Sequence, residues 1–274
     1  YCVHHLTDTP DKILNILETL SGTKVADDAF LIINSGRYEF KNKGIDLFIN
    51  ALGKLNREGD LKKNVVAVIA VPANISGVYK ELEYRLEGKR EINGRTELPC
   101  THHIFGYEHD AVLNLLRENG LQNNEGDMVK VIFVPSYLNG NDGVFNINYN
   151  DFLYAFDLSV FPSYYEPWGY TPMESIAHGI PTITTDLAGF GCYIKDENID
   201  NKSVAVVHRE EGNGIVVTDD IIKVILDFTS MNEKELNQIR KDALDLVNKF
   251  YWNTLINNYL EAYDIALDKL RGRD

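Results

Sequence analysis

The stretch AFLIINSGRYEFKNKGIDLFINALGKLN, residues 29–56, contains a strand, a basic loop and a helix in that order. Ala29–Ser35 is a continuous apolar run, which predicts a strand buried on both faces. Ile45–Asn56 has apolar residues at helical spacing and predicts an amphipathic helix. A second buried strand is predicted at Val65–Val71. Buried strands that are joined by helices indicate a parallel sheet covered on both sides.

The same alternation continues along the chain. Further strands are predicted at Val129–Val134, Leu158–Pro162, Pro181–Thr185 and Gly214–Val217, with helices near Tyr149–Phe156 and Pro172–His178. Two regions depart from the pattern: the polar region Ser76–Gly126, with helical stretches at Val78–Gly88 and His109–Asn119, and the helical region from Asn232 onward. The pattern predicts an α/β fold with a doubly wound, Rossmann-like parallel sheet.

Composition and charge narrow the class of protein. No run reaches the roughly 20 apolar residues of a membrane span. The start lacks a signal-peptide pattern and an initiating Met, which we interpret as an excised fragment. The formal net charge of −14 disfavours nucleic acid and anionic lipid as partners and leaves a neutral polysaccharide open. Cys2, Cys100 and Cys192 lack metal-binding spacing, so we expect free thiols in a reducing cytoplasm.

The first candidate binding segment is Gly36–Gly44, directly after the first strand. Ligands of open α/β sheets bind beyond the carboxyl ends of the strands. Arg37 and Lys43 therefore lie where a phosphate would arrive, since Arg can fork onto a diphosphate and Lys supplies a compact charge. The alternative is an ordinary solvated basic loop.

The second candidate is Phe161–Gly179, where a strand, a turn and a helix follow one another. Thr171 and Glu174, with Pro172 between them at the first helical position, have the form of a capping box. Glu174 therefore has a structural alternative, which is to cap the helix. Glu166 lies in a turn where no helix or core needs a carboxylate. A helix N-terminus suits an anion such as a diphosphate.

The third candidate is Thr184–Gly191, in which two glycines allow the backbone to approach a ligand closely. An ordinary tight loop is an equal alternative. The chain contains no Asp-x-Asp pair of the kind that holds a metal on a sugar nucleotide. We therefore expect no metal and no other cofactor, with Arg37, Lys43 and the helix N-terminus neutralising a leaving group.

Together these segments resemble the C-terminal half of glycogen synthases of the animal and fungal type. The matching stretches are GRYEFKNKGID (36–46), CTHHIF (100–105), VKVIFVPSYL (129–138) and FPSYYEPWGYTPMESIAHGIPTITTDLAGFG (161–191). The resemblance runs from about Phe30 to the C-terminus. It implies the C-terminal domain of a two-domain GT-B glycosyltransferase. The implied enzyme transfers glucose from UDP-glucose to the non-reducing end of an α-1,4-glucan with retention of configuration.

The resemblance also implies roles for residues that bind the nucleotide. Arg37 and Lys43 would bind the diphosphate as part of the catalytic set. Tyr149 would stack on the uracil ring. Glu174 would hydrogen-bond the ribose hydroxyls.

Two further roles concern the sugar. The turn Trp168-Gly169-Tyr170-Thr171 would present backbone and hydroxyl groups to the sugar and the phosphate. Glu166 would lie near the transferred glucose, where it orients the ring and stabilises positive charge at the anomeric carbon. In such enzymes the departing phosphate assists attack on the same face, so Glu166 is not expected to be a covalent nucleophile.

The resemblance divides the chain into three parts. Residues 1–25 would be a linker or remnant of the N-terminal domain, 26–230 the nucleotide-sugar-binding domain, and 231–274 helices that pack back toward the N-terminal domain. That domain is the expected partner, together with UDP-glucose and the glucan. Residues 76–100 are shorter than the family's oligomer-forming insertion, although a homo-oligomer stays open.

The segment 237–245 corresponds to the family's arginine-rich helix, which receives glucose 6-phosphate. Only Arg240 and Lys241 are basic in this segment. We therefore expect no activation by glucose 6-phosphate.

Two other functions stay open at this point. One is a GT-B enzyme with a different acceptor. The other is a non-catalytic nucleotide-sugar- or carbohydrate-binding module, against which the presence of Glu166, Glu174, Arg37 and Lys43 together argues. In either case the chain by itself should bind ligand without turnover, because no opposing domain closes the cleft.

Overall fold

The computed structural model describes residues 8–88, 96, 98–199 and 201–272. The strands in these ranges are β1 (Phe30–Ser35), β2 (Val65–Ala70), β3 (Ile75–Val78), β4 (His102–Ile104), β5 (Val129–Val134), β6 (Leu158–Val160), β7 (Thr182–Thr185) and β8 (Val204–Val207). The helices are α1 (Asp8–Ser21), α2 (Ile45–Glu58), α3 (Lys80–Leu86), α4 (Ala111–Glu118), α5 (Tyr149–Leu153), α6 (Tyr170–Ala177), α7 (Gly189–Asp196), α8 (Gly214–Ser230), α9 (Glu233–Val247) and α10 (Trp252–Arg271).

The main sheet of the described chain has six parallel strands in the order β5-β2-β1-β6-β7-β8. The chain builds outward from β1 to β2 and β5, then returns to place β6 on the other side of β1. The order therefore reverses between β1 and β6, which is the switch point where α/β sheets of this class bind ligands. Strands β3 and β4 form a small antiparallel pair outside this sheet.

Helices cover both faces of the sheet, as the continuous apolar strands predict. Phe30 and Ile32 of β1 pack in a core with residues of α2, α4 and α8. Leu31 and Ile33 point to the other face and pack with residues of α1 and α5. Because side chains of a strand alternate between faces, a strand between two helical layers is apolar at most positions. The predicted doubly wound, Rossmann-like fold is confirmed.

One predicted strand is wrong. Gly214–Val217 is the first turn of α8, and the sixth strand of the sheet is β8 instead. A run of four apolar residues has no visible period, so it does not distinguish a strand from a buried helix. The burial of Val217, Ile221 and Ile225 shows the helical spacing. The sequence analysis did not predict β8. In this strand of four residues only Val204 and Val207 are buried, and the two residues between them are partly exposed.

The two ends of the described chain differ. Residues 8–21, within the segment predicted as a linker, form α1, and its residues Ile13, Leu17 and Leu20 are buried in the core beside the sheet. The last helix, α10, buries none of its described residues. In the parts of the chain that the structure describes, no helix is long and apolar enough to cross a bilayer.

Candidate functional site

A cleft of about 430 Å³ lies at the carboxyl edge of the sheet, near the switch point. It is lined by residues that follow β1, β2 and β5, with contributions from α5 and α6. The lining residues are Ser35, Gly36, Arg37, Tyr38, Ala70, Pro72, Ser136, Tyr137, Leu138, Tyr149 and Thr171. Arg37, Tyr149 and Thr171 come from three distant segments of sequence, and the fold brings them into one cavity.

Tyr149 is held in this cleft by a hydrogen bond. Its hydroxyl lies 2.8 Å from Ser35 Oγ, at the end of β1. Burial raises the pKa of Tyr149 to about 12, and the nearby charge of Glu174 adds to that rise. The tyrosine therefore stays neutral at physiological pH, and its ring forms part of the cleft wall.

Lys43 and Glu166, in the loops after β1 and β6, form an ion pair in which Lys43 Nζ donates to Glu166 Oε2. The sequence suggests no structural role for Glu166, but the structure gives its carboxylate a cationic partner. Only 15% of the Lys43 side chain and 18% of the Glu166 side chain are exposed, so solvent screens the pair less than a surface ion pair. The pair is a preformed charged group at the switch point.

The loops that carry this pair are packed backbone against backbone. Tyr164 N donates to Asn42 O over 2.7 Å. Gly44 has φ 66°, and a Cβ on it would overlap the carbonyl oxygen of Pro162. Only glycine meets both conditions, because it tolerates positive φ and carries no side chain.

Arg37 stands at the rim of the cleft with 75% of its side chain exposed. Its Nε lies 3.1 Å from a Glu39 carboxylate oxygen. An exposed ion pair of this kind contributes about 0–1 kcal/mol, so an arriving dianion can replace Glu39 at small cost. Arg37 is thus a solvent-exposed cation at the mouth of the cleft, whereas the Lys43 side chain is largely buried and paired with Glu166.

The predicted capping box at Thr171 and Glu174 is wrong, and so is the placement of Pro172 at the first helical position. α6 begins one residue earlier than Thr171, at Tyr170, and its cap is Gly169 at φ 108°. No side chain caps this helix end. Its first N–H groups therefore keep the capacity to bind an anion, and Thr171 lines the cleft.

Trp168 has a structural role that the sequence did not indicate. Its ring lies 6.1 to 6.3 Å, between centroids, from those of Phe190, Tyr193 and Phe250. Its backbone carbonyl accepts a hydrogen bond from Phe190 N at 2.6 Å. The indole therefore anchors the turn before α6. By contrast Tyr170, at the start of α6, is 66% exposed.

Glu174 is half-buried on α6, and burial raises its pKa. The charge of His178 opposes this rise. None of the described residues donates a hydrogen bond to the Glu174 carboxylate. A carboxylate that is partly desolvated, has no such donor and lies within electrostatic reach of Tyr149 can accept hydrogen bonds from a ligand in the cleft.

In the segment Thr184–Gly191, both glycines lie in the first turn of α7 and contact the backbone of this chain. A Cβ on Gly189 would overlap Pro167 O, and one on Gly191 would overlap Thr185 O. Gly189 N also donates to Glu166 O over 3.0 Å. Gly189 therefore allows α7 to pack against the backbone that carries Glu166, and Gly191 allows it to pack against the end of β7.

Several residues of this site escaped the sequence analysis. Ser136 and Tyr137 follow β5, so the rule that selected the loop after β1 would also have selected them. Arg209 is buried close to Gly44 and Pro162, in the loop after β8. It was missed because β8 itself was assigned to the wrong segment. Among the described residues no group of three or more His, Cys, Asp or Glu is placed to hold a metal.

Comparison with known sequences gives one consistent result. The profile of the glycogen synthase family matches residues 24–83 and 89–273. Glycogen [starch] synthase isoform 2 of Saccharomyces cerevisiae is 30% identical over 88% of this chain and 43% of its own length. The liver glycogen [starch] synthase of Mus musculus is 34% identical over 88% and 41%. The chain spans less than half the length of these curated relatives.

Comparison with solved structures supports the fold alone. The N-terminal domain of Candida albicans trehalose-6-phosphate phosphatase has a TM-score of 0.52 at 13% identity, over 91% of this chain and 42% of that one. An E. coli structure described as trehalose-6-phosphate bound with UDP-2-fluoro glucose has a TM-score of 0.52 at 12% identity, over 94% and 49%. The sequence match covers most of the described residues, and the chain belongs to the glycogen synthase family of glycosyltransferases.

Proposed function

We propose that this chain is the donor-binding half of a retaining glucosyltransferase that moves glucose from UDP-glucose to the non-reducing end of an α-1,4-glucan. The observations that carry the proposal are the Lys43–Glu166 ion pair, which joins the loops after β1 and β6, and the cleft that Arg37 and Tyr149 line. Two cations, one carboxylate and one aromatic ring at a sheet's switch point suit a diphosphate, a sugar and a base.

The cations supply what the diphosphate needs. Arg37 is exposed and its fork of donors matches phosphate oxygens. Lys43 is fixed by Glu166 and by the packing of its loop. The uncapped start of α6 adds backbone donors and a partial positive charge. These groups support departure of the diphosphate without a bound metal.

The remaining side chains suit the nucleoside and the sugar. Tyr149 offers its ring to the uracil, and Glu174 offers carboxylate oxygens to the ribose hydroxyls. Glu166 would lie near the transferred glucose, where its negative charge would stabilise positive charge at the anomeric carbon. Retention of configuration follows when the departing phosphate assists attack on the same face.

The acceptor and the protein partner lie outside this chain. We infer that an N-terminal domain completes the cleft, because the chain spans less than half the length of its relatives and α10 buries none of its described residues. We infer a cytoplasmic location because the described cysteines, Cys100 and Cys192, are free thiols. An uncharged glucan is compatible with the net charge of −14.

Regulation by glucose 6-phosphate is not expected. Arg240 of α9 donates to Asp157 Oδ1 over 2.5 Å, which ties this cation to the start of β6. Asp242 and Asp245 add negative charge to the same helix. A phosphate ester would meet the engaged Arg240, one further cation, Lys241, and these two carboxylates. Large activation in a glucose 6-phosphate titration of the full-length protein would contradict this inference.

The function is tested with the natural full-length protein, glycogen and UDP-glucose in the presence of EDTA. We expect release of UDP, incorporation of glucose and an α-1,4 linkage in the NMR spectrum of the product. Glu166→Gln serves as the control for background hydrolysis. A wild-type protein that neither releases UDP nor extends glycogen would contradict the proposal, and a β-linked product would contradict retention.

A further inference from the structure

Arg209 lies two residues after β8 and is only 8% exposed. Its backbone N–H donates to Asp186 Oδ1 at 2.9 Å. The same Asp186 carboxylate accepts hydrogen bonds from Lys195 at 2.9 Å and His208 at 2.7 Å. Arg209 is therefore anchored through its backbone to the loop after β7, while its side chain extends toward the loops after β1 and β6.

The guanidinium group of Arg209 contacts both of those loops. Its Nη1 donates to the backbone carbonyl of Pro162. Its central carbon lies 4.9 Å from the centre of the Tyr164 ring, a cation–π distance. A Cβ on Gly44 would come within 2.9 Å of the same Nη1, so the group also touches the backbone next to Lys43.

A buried guanidinium is costly unless it is paired, and Arg209 has the means to remain charged. Burial lowers its pKa, and the charge of Asp46 opposes that change. Arginine nevertheless stays protonated, because its ordinary pKa lies far above neutral pH. The position therefore places a permanent cation in contact with the two loops.

The loops after β1 and β6 contact each other at three successive residues of the first loop, 42 to 44. Asn42 O accepts from Tyr164 N, Lys43 pairs with Glu166, and Gly44 packs on Pro162. Arg209 contacts the third of these pairs, Gly44 and Pro162, and also the ring of Tyr164. Its guanidinium group thus contacts both the carbonyl of Pro162 and the backbone at Gly44.

We propose that Arg209 is a positioning residue, which holds the loops after β1 and β6 in register so that Lys43 and Glu166 meet at the donor site. The catalytic part of this inference rests on the proposed glucosyltransferase function. The positioning part rests only on the contacts. Arg209 itself does not line the cleft.

Hydrogen exchange tests the positioning directly, with Arg209→Met in the natural full-length protein. The matched control is Arg85→Met, since Arg85 is 7% exposed and donates to the backbone carbonyl of Thr19 in α1. We expect the amide of Tyr164 to exchange roughly tenfold faster in Arg209→Met and unchanged in Arg85→Met. Unchanged exchange at Tyr164 in Arg209→Met would overturn the proposal.

Kinetics separates positioning from a purely structural role. We expect kcat of Arg209→Met to fall on the order of 10- to 100-fold with little change in KM for UDP-glucose, because displaced groups lose rate before they lose ground-state binding. Arg209→Lys keeps the positive charge and should perturb folding less than Arg209→Met. Its kcat should therefore lie between those of Arg209→Met and the wild-type protein. A folded Arg209→Met protein with kcat within twofold of wild type would contradict the proposal.

The two parts of the inference fail in different ways. If the wild-type protein does not use UDP-glucose, the proposed function fails, while the exchange of Tyr164 still decides whether Arg209 holds the loops. If the wild-type protein is active but both Arg209→Met measurements match Arg85→Met, the function stands and the role of Arg209 is excluded.

Discussion

The chain has two tryptophans, and their surroundings are opposite. Trp168 precedes α6 and packs against three other aromatic rings, beside the proposed donor site. Trp252 begins α10, is 60% exposed and meets the ring of Tyr259 at 5.2 Å between centroids. The ring of Trp168 is therefore held in place by other residues of this chain. The second belongs to a helix with no buried residue among those described.

The difference teaches which parts of the proposed enzyme the chain completes by itself. The segment around Trp168 has its hydrogen bonds, its ion pair and its packing in place, so this part of the proposed donor site is preformed. Helix α10 carries exposed Leu260, Tyr263 and Leu270. Under the proposed function, an N-terminal domain would cover these side chains. The following changes test this contrast in order of expected effect.

The largest effect is expected at Glu166. Glu166→Ala removes the carboxylate beside the proposed sugar site, and kcat for glucan synthesis by the full-length protein should fall by about 10²–10³-fold. Glu261→Ala, on exposed α10, is the matched control and should change kcat less than about twofold. Equal activity of both variants would remove Glu166 from the mechanism.

The next largest effect is expected on the free energy of unfolding, when each tryptophan is replaced by alanine. Trp168→Ala should lower the free energy of unfolding by about 2–3 kcal/mol, somewhat less than a fully buried ring. Trp252→Ala should change it by less than about 0.5 kcal/mol in this 274-residue chain. Urea denaturation followed by circular dichroism measures both. Equal losses would show that α10 is packed in solution and would break the comparison.

Lys43 should have an intermediate effect on binding. Lys43→Ala removes a charged donor and leaves Glu166 unpaired near the diphosphate. The affinity for UDP should fall roughly tenfold, or about 1.5 kcal/mol. Lys269→Ala, in the last turn of α10, should leave it unchanged. If the two variants bind UDP alike, Lys43 does not contact the diphosphate.

The smallest effect is a pH-dependent one at Glu174. Its pKa is raised by burial, so the folded protein holds this proton more tightly than the unfolded chain. Protonated Glu174 therefore favours the fold at low pH, and that contribution is lost as pH rises through the folded pKa.

Glu174→Gln mimics the protonated form at every pH. The variant should match wild type in stability near pH 4 and have a slightly higher urea midpoint at about pH 7. Its affinity for UDP should fall, because a carboxylate accepts ribose hydrogen bonds better than an amide does. A variant with lower stability at neutral pH, or with unchanged affinity, would argue against this role.

Much of the fold was readable from sequence because several strands are long and apolar throughout. Val129–Val134 was predicted at its observed bounds, and the loop after β1 lies at the carboxyl edge of the sheet, as predicted. The edge strand β8 was not found, because a half-covered strand of four residues carries little signal. That error also hid Arg209, which is recognisable only once a strand is known to end before it.

The helix start before Glu174 shows a second limit. The pattern Thr-x-x-Glu predicts a cap, but the backbone at Gly169 takes a positive φ and becomes the cap. That conformation is set by contacts made far away in sequence, where Gly189 N and Phe190 N donate to the turn that carries Glu166 and Trp168. Local patterns cannot report a constraint that tertiary packing imposes.

The central claim is that the cleft at the carboxyl edge is a metal-independent site for UDP. Calorimetric titration of this chain with UDP in EDTA tests it most directly, beside an Arg37→Ala, Lys43→Ala double variant. We predict single-site binding by the wild-type chain and a loss of at least about tenfold in the variant. No detectable heat with the folded wild-type chain at millimolar UDP would contradict the account, as would equal affinity in the two proteins.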